Sequence, residues 1–386
     1  MRADMVGPGP KCPPIGRLDG IAIGFGSPCL MGVGQTGGAS CSPAGQDTLH
    51  GMGNASLEAL AALVRDDDVL LGAASASPYV EVEAALEDRV ARGLWADMRF
   101  TAARPEVSCH PERAVRGAQT VISAIVPIWR PLPAQPEGPV GRLPRYAWGD
   151  PYATLRAALG RVRDALKAEG HRAVVHVDAN HHVDREGARR AGLTFSGKNT
   201  MAIAPGIGSF AAIGTLITDA VLTEADPTAV HQGCGSCTLC IDACPTGALD
   251  EPYVLDAEKC LSYWTQSRRA APEPIAAALG DRVYGCDICQ DVCPWNHGPA
   301  KRRAGLPTTG EAWVRLDEWL DATDEELVER NRRLYVPGLD GRYLKRNALI
   351  ALGNGPEEHR HLAEPYADSD DLILGPAARR ALRTDR

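Results

Sequence analysis

The chain has 386 residues, of which 44% are hydrophobic, so it is long enough to bury one large core or two to three smaller ones. Its formal net charge of -8 gives no overall positive field, so a nucleic acid or an anionic membrane would have to be met by a local basic patch. The sequence has no apolar run of about 18 residues, and its N-terminus lacks the charged-then-apolar order of a secretory signal. We therefore expect a cytoplasmic monomer with no membrane partner.

Residues 1–50 are rich in Gly, Pro and Ser and show no sustained apolar period. This composition predicts a disordered leader. The glycines between Gly32 and Gly38 are a weak match to a phosphate-binding loop, because no Gly-Lys-Ser/Thr follows them. We expect no function for the three cysteines of this region, Cys12, Cys29 and Cys41.

Residues 51–228 show alternating helical and strand patterns, which predict an α/β domain. Helices are predicted from Leu57, at Val80–Gly93, at Tyr152–Ala168 and near Arg185–Ala191, and strands at Val69–Ala73, Thr120–Val126 and Ala173–Val177. Asp178 follows the last of these strands directly. Open α/β sheets bind ligands beyond the carboxyl ends of their strands, so this position predicts a site residue.

Residues 229–300 contain eight of the twelve cysteines. The first four have the spacing C-x2-C-x2-C-x3-C-P, which is typical of bacterial ferredoxins with two 4Fe-4S clusters. The same ending recurs downstream with three cysteines, and Cys260 supplies the missing one. Structural zinc is the alternative, but zinc sites rarely carry this run twice. The predicted ligands are Cys234, Cys237, Cys240, Cys244, Cys260, Cys286, Cys289 and Cys293.

The ferredoxin pattern also predicts how these ligands divide between the two clusters. In such runs the fourth cysteine, before the proline, binds the other cluster. One set is then Cys234, Cys237, Cys240 and Cys293, and the other is Cys244, Cys260, Cys286 and Cys289. Two neighbouring clusters carry single electrons, and the preceding domain is large enough to contain the site that receives them.

Residues 301–386 predict a short helical segment that resembles one or two helical repeats. Its helices are predicted at Leu316–Arg330, Arg342–Leu352 and Ala377–Leu382. Because a few helices bury little surface by themselves, we expect these helices to pack on the rest of the chain.

The chain from about Ser56 to its C-terminus resembles the epoxyqueuosine reductases, cobalamin-dependent iron-sulfur enzymes of tRNA queuosine synthesis. The most specific matching segments are Arg145–Tyr152, Val177–Asp178, Ala191–Asn199, Gly208–Phe210, Cys244–Ala248, Cys260–Tyr263 and Tyr284–Cys289. The resemblance implies an α+β cobalamin-binding domain, a ferredoxin-like two-cluster domain and a short HEAT-like C-terminal segment. It also implies that electrons pass from an external low-potential donor of the flavodoxin or ferredoxin type, through both clusters, to cobalt. The substrate would be the epoxide of epoxyqueuosine at the wobble position of a tRNA.

The resemblance assigns roles to individual residues. Asp178 matches the proton donor, although a turn or helix-cap aspartate is the alternative. Asp150 and Tyr152 match polar residues near the substrate pocket, and both could instead be structural. The positions that match cobalamin contacts are Ala202, Ile213, Ser262, Cys286 and Asp287.

Two departures from the family pattern lie near the expected pocket. Ser108 stands where related sequences have an arginine that would contact the cofactor. Ala179–His182 replaces the usual Ala-Pro or Gly-Glu pair after the catalytic aspartate. The adjacent histidines His181 and His182 suggest a metal or cobalt ligand, but solvated loop side chains are the commoner outcome. The exact substrate is therefore open, and a reductive-dehalogenase-like reductase or a ferredoxin-like electron carrier are alternatives.

A tRNA partner requires local positive charge and aromatic stacking partners. The basic groups are Arg268–Arg269, Lys301–Arg303, Arg332–Arg333 and Lys345–Arg346, and the nearby aromatic residues are Tyr263, Trp264 and Trp295. Any single pair could equally be solvated charge at a helix end.

Overall fold

Residues 56–98, 100–222 and 233–383 are described by a computed structural model, and all of them fall within one unit of the chain, Ala55–Arg386. The leader predicted over 1–50 lies outside the described residues. Within these ranges, no helix has both the length and the apolar character needed to cross a membrane.

The described residues form helices and strands in mixed order. The helices are α1 Leu57–Ala62, α2 Val80–Ala91, α3 Pro105–Ser108, α4 Pro151–Ala168, α5 Asp184–Arg190, α6 Leu239–Asp242, α7 Leu261–Gln266, α8 Glu273–Ala278, α9 Ile288–Asp291, α10 His297–Arg303, α11 Leu316–Asp321, α12 Asp324–Arg330, α13 Arg342–Asn354, α14 Glu364–Ala367 and α15 Leu374–Ala381. The strands are β1 Leu70–Ser75, β2 Thr120–Pro127, β3 Val140–Arg142, β4 Ala173–His176, β5 Phe195–Ser196, β6 Ala202–Ile203, β7 Ala211–Thr218 and β8 Trp313–Arg315.

The main sheet has four strands in the order β1-β2-β7-β4. Every residue of β2 is buried, as expected for a central strand with both faces covered. All three pairings are antiparallel, with Leu70 opposite Ile125, Thr120 opposite Thr218, and Ala173 also opposite Thr218. The rule for ligand sites in open α/β sheets, from which the sequence placed Asp178, therefore does not apply, although Asp178 does follow the edge strand β4.

Helices cover both faces of this sheet. On one face, α4 buries Leu155, Leu159, Val162 and Leu166, which recur at helical spacing against β2 and β7. Each such side chain contributes about 1.5–3 kcal/mol on burial. On the other face, α5 leads into a turn so close to the sheet that a Cβ on Gly72 would lie 2.6 Å from the Ala191 carbonyl oxygen. Asp184 and Arg185 of the site begin α5 on this face.

The C-terminal segment packs on the preceding chain, as expected. Strand β8 pairs with β3, and Leu143 and Trp148 share one apolar core with residues of α11, α13 and α15. The predicted helix Leu316–Arg330 is wrong in one respect, because it is two helices. Thr323 begins α12 with a capping box, in which it and Glu326 bond each other's backbone N–H groups, and this ends α11.

Candidate active site and cluster sites

Asp178 lies just beyond β4 in a left-handed backbone conformation, with φ of 53°. Aspartate tolerates this conformation better than most residues. The side chain is exposed to solvent, yet partial burial of the carboxyl raises its pKa, against the opposing charge of Arg156. Asp178 is thus an acid that stays protonated to higher pH than an ordinary surface aspartate.

Tyr152 and Asp150 stand at the start of α4 and differ in environment. Burial raises the pKa of Tyr152 to about 12, and the charge of Asp178 adds to the shift, so the two groups lie near each other. Asp150 is the N-cap of α4: its carboxylate accepts the Ala153 N–H at 2.8 Å and lies 3.3 Å from Arg156. The sequence left a structural role for Asp150 open as an alternative, and the contact observed here is the structural one, a helix N-cap.

Asp184 and Arg185, at the start of α5, were not identified from the sequence. Asp184 accepts the Thr215 hydroxyl at 2.8 Å, and burial raises its pKa to about 7, with Asp178 contributing in the same direction. Arg185 donates to the Thr200 carbonyl at 2.9 Å. The only sequence signal was an acid-base pair at a helix start, where acidic residues are common for electrostatic reasons.

The neighbourhood shared by Tyr152, Asp178, Asp184 and Arg185, here called the recess, lies near the cysteine-rich segment. Asp178 and Arg185 are both solvent-exposed, yet desolvation shifts the pKa of each, upward for Asp178 and downward for Arg185. The charges of Tyr152 and Cys289 also act on Arg185, so the recess reaches from α4 to the cysteines.

The first thiol set comprises Cys234, Cys237, Cys240 and Cys293, none of which forms a disulfide. Burial raises the pKa of Cys293 to about 11, and the other three thiols of the set all contribute. The pKa of Cys240 is raised by burial and then by Cys234 and Cys237. The structure therefore places these four thiols in one neighbourhood.

The second thiol set comprises Cys244, Cys260, Cys286 and Cys289, also free. Burial raises the pKa of Cys289, with further contributions from Cys286, Cys260 and Cys240. The pKa of Cys260 is likewise raised by burial, with Cys244 acting on it. Cys289 therefore lies near the first set through Cys240 and near the recess through Arg185.

The residues assigned to cobalamin by resemblance lie in two parts of the chain, the α/β part and the cysteine-rich segment. Ala202 is on β6 and Ile213 on β7, where Ile213 packs in a small apolar cluster. Ser262 is on α7, while Cys286 and Asp287 line a pocket that is open to solvent. In the described part of the chain, no three His, Cys, Asp or Glu side chains are grouped to hold a single metal ion. A corrin supplies its own nitrogen ligands to cobalt, so the small or apolar side chains of Ala202, Ile213 and Ser262 fit it, whereas Cys286 belongs to the second thiol set and Asp287 is bound to Arg145.

Asp287 is hydrogen-bonded to Arg145, in the segment that precedes α4. Its carboxylate accepts the backbone N–H of Arg145 at 2.7 Å, and burial raises its pKa to about 6. The Arg145 guanidinium also donates to Asp291 at 2.6 Å and lies over the Phe210 ring at 4.8 Å. Arg145 thus links the α/β part to the loop that carries Cys286.

The departures from the family pattern include two buried side chains, Ser108 and His182. Ser108 is fully buried and donates to the Thr101 carbonyl at 2.8 Å, so it offers nothing to a cofactor. His182 is also buried, 3.4 Å from the Tyr79 hydroxyl, and burial lowers its pKa to about 3. His181 is exposed, and neither histidine belongs to a metal-binding group among the described residues.

Several residues proposed to meet tRNA have structural roles instead. Arg346 is 4% exposed and donates to the carbonyls of Trp264 and Ser267. Tyr263 and Trp264 are buried as well, which removes them as stacking partners for a base. Trp295 is partly exposed, with its ring edge-on to Phe195.

The cysteine-rich segment matches a protein-family model. Residues 233–296 match the 4Fe-4S double cluster binding domain, so the expectation of two 4Fe-4S clusters is supported over zinc. An epoxyqueuosine reductase of Synechococcus sp. (strain CC9605) is 37% identical over 279 residues, which cover 70% of this chain and 83% of that protein. The chain belongs to the epoxyqueuosine reductase family. An epoxyqueuosine reductase of Leadbetterella byssophila is 35% identical and is covered over 90% of its length.

Solved structures of epoxyqueuosine reductases share this fold. A crystal structure of one with an epoxyqueuosine-modified tRNA-Tyr stem loop has a TM-score of 0.76 and 27% identity, over 84% of this chain and 88% of that one. The structure from Bacillus subtilis, described with its catalytic aspartate loop swung out of the active site, has a TM-score of 0.71 and 25% identity, over 84% and 97%. The predicted fold class is thereby confirmed.

Proposed function

We propose that this chain is an oxidoreductase that converts the epoxide of epoxyqueuosine in tRNA to the alkene of queuosine. The reaction consumes two electrons and two protons, breaks both carbon-oxygen bonds of the epoxide and releases the oxygen as water. Membership of the family supports this activity, as does the tRNA stem loop bound to a structural relative. The chain must then supply protons, electrons and a binding surface for the tRNA.

Asp178 is the proposed proton donor. An epoxide oxygen leaves poorly as an alkoxide or hydroxide, so a positioned acid must protonate it. The raised pKa of the Asp178 carboxyl favours the protonated form that a general acid needs. Tyr152 is positioned to orient the substrate or to relay a proton to Asp178, whereas the N-cap contact of Asp150 gives it a positioning role at most.

The two thiol sets are the proposed ligands of two 4Fe-4S clusters that relay single electrons. Cys289 is electrostatically coupled to Cys240 of the first set and to Arg185 in the recess, which supports a relay from the first set to the second and then to the recess. Cobalamin, when bound, supplies a cobalt centre that accepts electrons singly and delivers a pair of them to a substrate carbon. Ala202, Ile213, Ser262, Cys286 and Asp287 are the proposed contacts that would hold it.

The remaining partners follow from the same activity. Five of the basic residues are exposed: Arg268, Arg269, Lys301, Arg302 and Arg332. Arg269 pairs with Glu258 and Arg332 with Glu329, so Arg268, Lys301 and Arg302 are the proposed phosphate contacts. An external low-potential carrier of the flavodoxin or ferredoxin type would supply electrons. A cytoplasmic monomer, as expected from the sequence, suits a tRNA substrate.

One relationship carries this proposal most directly. Asp178 and Arg185 both act on the pKa of Asp184, and the charge of Cys289 of the second thiol set acts on Arg185. A proton donor and an electron supply therefore meet at one place, which an electron carrier alone would not require.

The test uses the anaerobically reconstituted protein with cobalamin, a low-potential reductant and tRNA bearing epoxyqueuosine. Mass spectrometry of the nucleosides is expected to show loss of one oxygen atom, and reactions without cobalamin or without reductant should show none. Intact clusters and bound cobalamin without loss of oxygen would reject the proposed substrate. A halogenated phenol in place of the tRNA is expected to remain unchanged.

A further inference from the structure

Lys198 lies in the turn between β5 and β6 and contacts the loop of the first thiol set three times. Its backbone N–H donates to Cys234 Sγ at 3.4 Å. Its ammonium donates to the carbonyl oxygens of Gly235 at 2.7 Å and Cys237 at 3.0 Å. One residue of the α/β part therefore holds both ends of the Cys234–Cys237 loop.

The same turn holds two further parts of the cysteine-rich segment. The Asn199 side-chain amide donates to the Cys289 carbonyl at 3.2 Å, and the Tyr253 N–H donates to the Lys198 carbonyl at 3.0 Å. Phe195 and Ile203 of the hairpin also pack against Cys293. These contacts hold the Lys198 ammonium in one position beside the first thiol set.

Within the described ranges, no carboxylate pairs with this ammonium. Both of its hydrogen-bond partners are carbonyl oxygens, and among the residues that the structure describes it forms no ion pair. Lys259, near the second set, differs because its ammonium lies 3.1 Å from Asp250 and 3.6 Å from Asp256. Among the described residues, Lys198 therefore places a positive charge with no carboxylate partner beside the Cys234–Cys237 loop of the first thiol set.

Cluster reduction potentials depend on net charge and on hydrogen bonds to the sulfurs. Reduction adds an electron to an anionic cluster, so a fixed cation and an N–H···S bond stabilise the reduced form. We propose that Lys198 is a positioning residue that raises the reduction potential of the cluster bound by the first thiol set. This inference rests on the cluster ligation in the proposed function and adds a residue that tunes electron transfer to the recess.

The experiment compares three substitutions in the reconstituted holoenzyme by potentiometric titration followed with electron paramagnetic resonance. Lys198→Arg keeps the charge, Lys198→Gln keeps donors to the carbonyls without charge, and Lys198→Met removes both. In Lys198→Gln and Lys198→Met we expect the reduction potential of one cluster to fall. At a fixed applied potential the ratio of reduced to oxidised cluster should be about tenfold smaller, which corresponds to about 59 mV for one electron. The other cluster should not shift, and Arg should restore the wild-type value.

Lys167→Met, at the exposed end of α4 and remote from the thiols, is the matched control and should leave both potentials unchanged. A purely structural role would lower iron content in Lys198→Met but leave the potential of Lys198→Gln at the wild-type value, and that result would overturn the proposal. If Lys198→Met does not retain iron, the Gln variant decides the question alone. Wild-type protein without two reducible clusters would instead reject the proposed cluster ligation.

Discussion

The Asp178 carboxylate raises the pKa of the Tyr152 phenol, although the two residues belong to different elements. Tyr152 lies in the first turn of α4, and Asp178 follows β4, which α4 precedes in the chain. Burial is the larger cause of the shift to about 12. The chain thereby places an acid and a neutral phenol within range of each other's charge.

Asp178→Asn is expected to lower kcat for epoxide reduction by about 10²–10⁴-fold, the usual contribution of a general acid. An acid must be protonated to act, so wild-type activity should fall as pH rises through the raised pKa of Asp178. Single-turnover conversion of tRNA as a function of pH measures both effects. Asp164→Asn, an exposed aspartate paired with Arg163, is the control and should keep wild-type rates. Equal rates in Asp178→Asn and wild type would remove Asp178 from the chemistry.

The cluster segment was the most predictable part from sequence, and the reason is local. Short cysteine spacings fix one ligand set within a few residues, so Cys234, Cys237 and Cys240 could be identified without tertiary information. The position of Asp178 at the end of a strand could also be predicted from the sequence. By contrast, the antiparallel order of the sheet depends on pairing between distant segments, which periodicity does not encode.

The rest of the recess could not be read from residue type. Asp184 and Arg185 follow the ordinary charge pattern of a helix start, so nothing distinguished them until β7 placed Thr215 against Asp184. Arg346 looked like an exposed helical cation, but its guanidinium is buried against α7. The break before α12 did have a signal, since Thr323 and Glu326 have the spacing of a capping box.

Loss of a thiol from the first set should reduce cluster content. Cys293→Ser is expected to lower bound iron and sulfide by up to one cluster of the two, because Cys293 is buried among the other thiols of that set. Cys109→Ser is the matched control, since Cys109 is buried but outside both sets, and its iron content should equal that of wild type. Iron and sulfide analysis with visible absorbance measures this. Full iron in Cys293→Ser would contradict its assignment as a ligand.

Gly208 is expected to be required for packing of the β6–β7 connection on the cysteine-rich segment. Its φ is +89°, and an added Cβ would clash with Asn296 Oδ1 and lie 3.1 Å from the Trp295 carbonyl oxygen. Asn296 cannot move easily, because it accepts the Ser209 N–H at 2.8 Å and donates to the Gln290 carbonyl at 2.7 Å. Gly208→Ala should therefore lower the free energy of unfolding by about 3 kcal/mol, through backbone strain and overpacking.

Gly206→Ala is the matched control for that measurement. Gly206 has a similar φ of +78°, but a Cβ there would meet nothing within 4 Å. The control pays only the backbone cost of about 1 kcal/mol. The difference between the two variants in urea unfolding isolates the clash with Asn296, and equal losses would show that Asn296 yields.

Asp184 should make stability depend on pH. Its folded pKa of about 7 exceeds the ordinary value of 3.8, so between these values the folded state holds a proton that the unfolded state has lost. Stability from this group is fully present below about pH 4 and is lost as pH rises through about 7. Each pH unit between the two pKa values changes the free energy of unfolding by about 1.4 kcal/mol. Wild type should therefore lose about 2 kcal/mol of stability between about pH 5.5 and pH 8 from this residue.

Asp184→Asn keeps an amide oxygen to accept the Thr215 hydroxyl but does not titrate. Its stability relative to wild type should therefore improve as pH rises over that range, measured by urea unfolding at matched ionic strength. The charged or titratable groups around Asp184 are Asp178, Arg185, Tyr152 and Tyr79, and all of them remain in the variant, so their effects largely cancel in the difference. A difference that stays constant with pH would mean that Asp184 is ionised throughout the range, because Arg185 or solvent in the recess compensates its charge.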